Sequence, residues 1–233
     1  VNGLDDLVPS LICCWPRLRK PDKQVEREES DSGERRVAIF VACWRESAVI
    51  EEMVRHNMAA IRYENFDLFL GTYPNDEETA RAVEKLVRIF PNVHGAACPH
   101  PGPTSKADCL NWIYQRMLLF EEDNGLLFDT IVVHDAEDII HPDALRLMNE
   151  KRRVFDMVQI PVLPIATSPG EFTHGVYCDD FAEYQTIDMP ARQISGAFLP
   201  SNGVGTAYSR AVLVRMAEEN HNLAFEPSSL TED

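Results

Sequence analysis

The stretch Phe128-Asp129-Thr130-Ile131-Val132-Val133 runs directly into His134-Asp135-Ala136-Glu137-Asp138. The first part is an apolar, β-branched run of strand length. The second gathers polar, mostly acidic side chains where the chain leaves the sheet. Acids at a strand's carboxyl end lie where open α/β sheets bind their ligands.

Strand and helix patterns alternate on both sides of this junction. Val37-Ala38-Ile39-Phe40-Val41-Ala42 is a continuous apolar run, as suits a parallel strand covered on both faces. A helix is predicted over 48–61, then a strand over 66–71 ending in the turn 72–76. A helix over 77–90 places Ala80, Val83, Val87 and Phe90 on one side. A short strand at 93–96, a helix over 106–121, the strand 128–133, a helix over 143–150 and a strand over 157–162 follow. This alternation predicts an α/β fold with a mostly parallel sheet flanked by helices.

Residues 1–20 carry apolar positions at helical spacing beside Trp15, Arg17, Arg19 and Lys20. They read either as an interfacial helix or as a helix packed on the domain. Residues 20–36 are polar, charged and turn-rich, a linker. The division expected is a membrane-proximal segment and linker over 1–36 and a catalytic domain over 37–233.

With 233 residues, 45% of them hydrophobic, the chain can bury a sizeable core. Its net charge of -16 disfavours nucleic acid and anionic lipid as broad partners. An acidic protein that binds a nucleotide diphosphate needs a local remedy, commonly a divalent cation held by carboxylates. The six cysteines include no CxxC pair, so they read as thiols rather than a disulfide or zinc framework. No apolar stretch reaches the roughly 20 residues that span a bilayer.

Asp135 and Glu137, two positions apart, can converge on one point. Such hard oxygen ligands suit Mg²⁺ or Mn²⁺. The alternatives are a solvated acidic turn, or Asp138 capping the next segment. Lys106 opens a predicted helix and reads as a phosphate ligand or as a solvated lysine. His134 adjoins Asp135 and is a candidate for contact with the metal or diphosphate.

The junction, with Pro142 and Ala144-Leu145 after it, resembles the Asp-x-Asp region of family 2 glycosyltransferases of the GT-A (Rossmann-like) fold. Glu137 stands where that pattern has its second Asp, with Asp138 beside it, so either could join Asp135 on the metal. Val41-Ala42-Cys43-Trp44-Arg45-Glu46 is similar to the family's first loop, which implies that Glu46 contacts the nucleoside. Asn75 and Asp76 match the position near the uracil. Lys106-Ala107-Asp108-Cys109-Leu110-Asn111 resembles the family's Lys-x-x-x-Leu-Asn helix start. Residues 198–210 look like its Gly-rich acceptor loop leading into a helix, and Thr231-Glu232-Asp233 looks like the motif whose final Asp is the general base. Within the family, Asp135 to Asp138, Gln159 to Pro164, the Gly203 loop and the final tripeptide most resemble the bacteriophage adsorption protein B group of bacterial inner-membrane glycosyltransferases.

The resemblance implies a metal-dependent, inverting transfer from a UDP-sugar to a growing glycan or lipid-linked acceptor, in envelope or extracellular polysaccharide synthesis. Glu46, Asp76, Lys106 and Asp135 would hold the donor, Asp135 with Glu137 or Asp138 the metal, and Asp233 would be the base. It further implies a cytoplasmic-face location, membrane attachment through segments outside this chain, and a catalytic domain truncated before the family's Gln-x-x-Arg-Trp motif. The alternative is a degenerate nucleotide-binding module of an envelope assembly. A metal phosphohydrolase is disfavoured because no second His-Asp cluster accompanies His134-Asp135.

Overall fold

The computed structural model describes residues 7–14, 33–165, 170 and 172–227. In chain order the elements are α1 (Leu7–Cys14), β1 (Val37–Ala42), α2 (Ile50–Ala60), β2 (Phe66–Thr72), α3 (Glu77–Ile89), β3 (Val93–Ala97) and α4 (Lys106–Asn124). After them come β4 (Thr130–His134), α5 (Ala144–Lys151), β5 (Met157–Gln159), α6 (Phe172–Glu183), a π-helical turn (Tyr184–Asp188), α7 (Met189–Ser195), β6 (Thr206–Ser209) and α8 (Arg210–Glu219). The chain forms two compact units, one combining Val1–Glu28 with Pro161–Ser201, the other Glu29–Ile160 with Asn202–Asp233.

The larger unit carries a six-stranded sheet of order β3-β2-β1-β4-β6-β5. Neighbours among β1 to β4 pair in parallel, and β6 runs antiparallel to both β4 and β5. The expected α/β fold with a mostly parallel, helix-flanked sheet is what the structure has.

Period-two alternation in β1 explains its unbroken apolar run. Val37, Ile39 and Val41 enter one core with Ile50, Val54, Leu86 and Met148. Ala38 and Phe40 enter the other with Cys109, Ile113, Met117 and Leu213. Both faces are covered, so neither needs polar residues. Each fully buried large side chain contributes about 1.5–3 kcal/mol. Gly71 lets α4 approach β2 closely: a Cβ there would meet Cys109 Sγ, and Ile113 Cδ1 at 2.9 Å.

Three buried polar side chains show how charge and amide groups are paired inside the fold. Asp67 pairs with Arg36 (3.0 Å) and His94 (2.8 Å). Glu121 accepts from Phe128 N at 2.7 Å and pairs with Arg210. Asn111, on α4, brackets Phe225, donating to its carbonyl at 2.8 Å and accepting from its N–H at 2.9 Å.

β6 is the one element of the sheet that the sequence reading absorbs into a loop. Its four residues, Thr206-Ala207-Tyr208-Ser209, are too few to show alternation. They lead at once into α8, whose N-cap Ser209 accepts from Val212 N at 3.0 Å.

In the smaller unit α1 packs on α7 and the π-helical turn, and Cys13 Sγ donates to Ile187 O at 3.2 Å. Tyr177 and Phe181 stack at 5.8 Å on α6. Among the described residues no helix is long and apolar enough to cross a membrane.

Candidate active site

The register fixes where the site lies. Val41 is opposite both Leu70 and His134, so β1, β2 and β4 end at one edge. β1 sits between β2 and β4, where the strand order reverses direction. That is the switch point at which open α/β sheets bind ligands. Three loops leave from there: Cys43 to Val49, Tyr73 to Asp76, and Asp135 to Asp143.

The loop after β4 is held from within and from below. Asp138 Oδ2 accepts from Asp135 N at 2.9 Å and lies 2.8 Å from His134 Nδ1. From α2, Asn57 donates to Asp138 O at 2.9 Å and accepts from Ile140 N at 3.0 Å. His134 is a strand residue, 4% exposed, and its buried Nε2 has no hydrogen-bond partner among the described residues. Asp135 and Glu137 remain on the open side, Asp135 partly buried and Glu137 exposed.

Lys106 reaches this loop from α4. Its ammonium lies 2.5 Å from Asp135 Oδ1 and 2.9 Å from Gly203 O. A cation in a helix's first turn opposes the helix dipole, and here the carboxylate and carbonyl compensate it. Gly203 (φ 66°) belongs to a loop stapled by Gln159. Gln159 Oε1 accepts from Asn202 N at 3.1 Å and Thr206 Oγ1 at 2.6 Å, and its Nε2 donates to Val204 O at 2.9 Å.

The loop after β1 is locked by α3. Arg45 adopts a left-handed backbone, φ 60°, held by Asp76 Oδ2 accepting from its N–H at 2.6 Å. Asp76 Oδ1 caps α3 through Thr79 N at 3.3 Å, and Thr79 Oγ1 accepts from Glu46 N at 3.0 Å. Burial, then the nearby Glu137, Asp135 and Asp76 carboxylates, holds the Glu46 carboxyl above the usual carboxylate range. Trp44 packs edge-on against Tyr73 at 5.3 Å. A Cβ on Gly102 would meet both rings at 2.8 Å, so glycine lets the segment before α4 close on them. Asn75 clamps that segment, donating to Gly102 O at 2.6 Å and accepting from its N–H at 2.7 Å. A surface cavity of about 520 Å³ is lined by Arg45, Ser47, Asn75, Asp76, Glu77, Glu78 and Arg81.

Glu46, Asp76, Lys106, Asp135 and Glu137 therefore share one end of the sheet, though Asp76 and Asn75 spend polar atoms on the loops themselves. Asp138 is turned into its own loop. Among the described residues no three His, Cys, Asp or Glu side chains converge to hold a metal. Asp233 lies outside the described residues. Asn57 and Gln159 are supports to which sequence reading assigns no role. Asn57's signal was a polar residue amid the apolar positions Ile50, Met53 and Val54 of α2.

A family model described as glycosyltransferase like family 2 matches residues 35–233. The chain belongs to that family. This family 2 domain is 38% identical, over 240 aligned positions, to bacteriophage adsorption protein B of Escherichia coli (strain K12). The same identity holds to bacteriophage N4 adsorption protein B of Escherichia coli O157:H7. In both cases the match covers 100% of the chain but only 32% of the relative's length. Solved structures share the fold. The mannosyltransferase PcManGT from Pyrobaculum calidifontis, in complex with GDP-Man and Mn²⁺, superposes with a TM-score of 0.64 at 16% identity, covering 99% of this chain and 56% of that one. S. aureus TarS 1-349 in complex with UDP-GlcNAc gives 0.51 at 11% identity, covering 82% and 48%. The family and the fold together make this a GT-A glycosyltransferase domain.

Proposed function

We propose that the domain transfers a sugar from a UDP-sugar to an acceptor hydroxyl by a cation-dependent, inverting displacement. The observation that carries this is the Lys106–Asp135 contact of 2.5 Å at the sheet's switch point, a cation and a carboxylate at the open carboxyl edge. The acidic neighbours of Glu46 support it, because that field calls for positive charge before a diphosphate can enter. GDP-Man with Mn²⁺ in the mannosyltransferase structure and UDP-GlcNAc in the TarS structure support a nucleotide-sugar donor on this fold, the second of them a UDP-sugar.

Asp135 and Glu137 would hold Mg²⁺ or Mn²⁺ through their carboxylate oxygens. The bound cation would neutralise charge on the leaving diphosphate. Asp138 shapes the loop rather than ligating. Glu46 meets the nucleoside, and Asp76 acts through the loop it holds. Lys106 contacts a phosphate as a point charge, near the first amides of α4. Asp233 takes the acceptor hydroxyl's proton as that oxygen attacks the anomeric carbon, the anomeric C–O bond breaks, and UDP departs. The acceptor is a growing glycan or lipid-linked sugar in envelope or extracellular polysaccharide synthesis. The domain works at the cytoplasmic face of the bacterial inner membrane, attached through segments outside this chain. The likeness to adsorption protein B supports that setting.

The test is a screen of nucleotide-sugar transfer and hydrolysis by the full-length protein against Asp233→Asn. A general base is worth about 10²–10⁴-fold in rate, so a loss of that order is expected. Equal transfer by both proteins would remove Asp233 from the mechanism. UDP binding without transfer of any sugar would favour a degenerate binding module.

A further inference from the structure

We infer that Lys106 is a built-in counterion that occupies Asp135 while the donor is absent, so that a divalent cation gains the site only together with a nucleoside diphosphate. This rests on the donor-site proposal above. The Lys106 ammonium bonds Asp135 Oδ1 at 2.5 Å and Gly203 O at 2.9 Å, a carboxylate and a carbonyl such as a hard cation would also choose. The pair is partly shielded, with side-chain exposures of 16% for Lys106 and 39% for Asp135, so its attraction is less screened than on an open surface.

A dication placed on Asp135 would face that ammonium at contact distance, and like charges there oppose binding. The described residues offer little in return, because among them no three candidate side chains converge on an ion. Mg²⁺ and Mn²⁺ favour about six ligands and take several from phosphates and water. A diphosphate answers both problems. It supplies oxygens to the cation and gives Lys106 a new anionic partner near the first turn of α4. Metal and nucleotide affinities are therefore coupled, each raising the other by the same factor.

The experiment titrates Mn²⁺ into the protein, following the free-ion electron paramagnetic resonance signal, with and without UDP. Wild type is expected to bind Mn²⁺ weakly alone and at least about tenfold more tightly with UDP, a factor of ten being about 1.4 kcal/mol. Lys106→Met keeps the aliphatic stem and removes the charge. It should bind Mn²⁺ alone about tenfold more tightly than wild type, and gain less from UDP. Lys106→Arg keeps the charge and should leave Mn²⁺ alone as weak as in wild type, which separates charge from packing. If Lys106→Met binds Mn²⁺ alone no better than wild type while UDP still tightens it in wild type, the counterion role is overturned and the donor site stands. If UDP fails to tighten Mn²⁺ in wild type, or Asp135→Asn binds as wild type does, the donor-site proposal falls and this inference with it.

Discussion

Asn57 and Asp138 stand 81 positions apart in sequence, yet the Asn57 amide donates to the Asp138 carbonyl at 2.9 Å. The same side chain accepts from Ile140 N at 3.0 Å and is only 2% exposed. One buried amide therefore fixes the backbone of the acidic loop from the helix beneath it. Asn57→Ala leaves a buried carbonyl and N–H without partners, at a cost of about 2–3 kcal/mol. Urea unfolding measures this, and a loss under about 0.5 kcal/mol would show that the loop holds itself.

Gln159 plays the same part for the loop that carries Gly203. Its carboxamide bonds Asn202 N, Thr206 Oγ1 and Val204 O. Gln159→Leu keeps similar bulk and removes every one of these. Hydrogen exchange at the Asn202 amide should speed up by about tenfold to a hundredfold, the signature of local opening. Donor affinity should fall as well, since Gly203 O no longer steadies Lys106. Unchanged exchange at Asn202 would mean that the loop is ordered by other contacts.

Gly71 tests the packing of the sheet against α4. Gly71→Ala drives a methyl into Cys109 and Ile113, and overpacking of this kind costs about 1–3 kcal/mol. Adding Cys109→Ala should recover part of the loss, giving a favourable coupling of about 0.5 kcal/mol or more in a double-mutant cycle. Strictly additive losses would argue that the strain is relieved elsewhere.

Glu46 gives the fold a pH signature. Its carboxyl is held above the usual range, first by burial and then by Glu137, Asp135 and Asp76. The folded state thus keeps a proton that the unfolded chain releases at lower pH. Below its unfolded pKa, Glu46 costs nothing. Stability is lost as pH rises from that value through the raised folded value, and the deficit remains at neutral pH. Glu46→Gln should raise Tm at pH 7 and confer no gain at pH 4. A gain that is the same at both pH values would place its cause in packing rather than charge.

Much of this was legible in the chain because strong local signals and global topology agree. Val37 to Ala42 had no polar residue and therefore had to be covered on both faces. The alternation around it gave the parallel strands, and the acids after Val133 marked the working edge. β6 was hidden because Thr206 to Ser209 derives its identity from pairing with β4 and β5 rather than from its own pattern. The supports were hidden for a related reason: Asn57 and Gln159 bond residues more than forty positions away, which no local spacing records. At Asp138 the sequence left two uses open, a metal ligand or a cap on the next segment, and local spacing does not record the 2.9 Å bond that its carboxylate accepts from Asp135 N.

The most direct measurement is calorimetric titration of UDP into the protein with Mn²⁺ and with a chelator, for wild type and Asp135→Asn. Cation-assisted donor binding at Asp135 predicts that wild type binds UDP at least about tenfold more tightly with Mn²⁺, and that Asp135→Asn loses this gain. Equal UDP affinity with and without the cation, or an undiminished gain in Asp135→Asn, would contradict it.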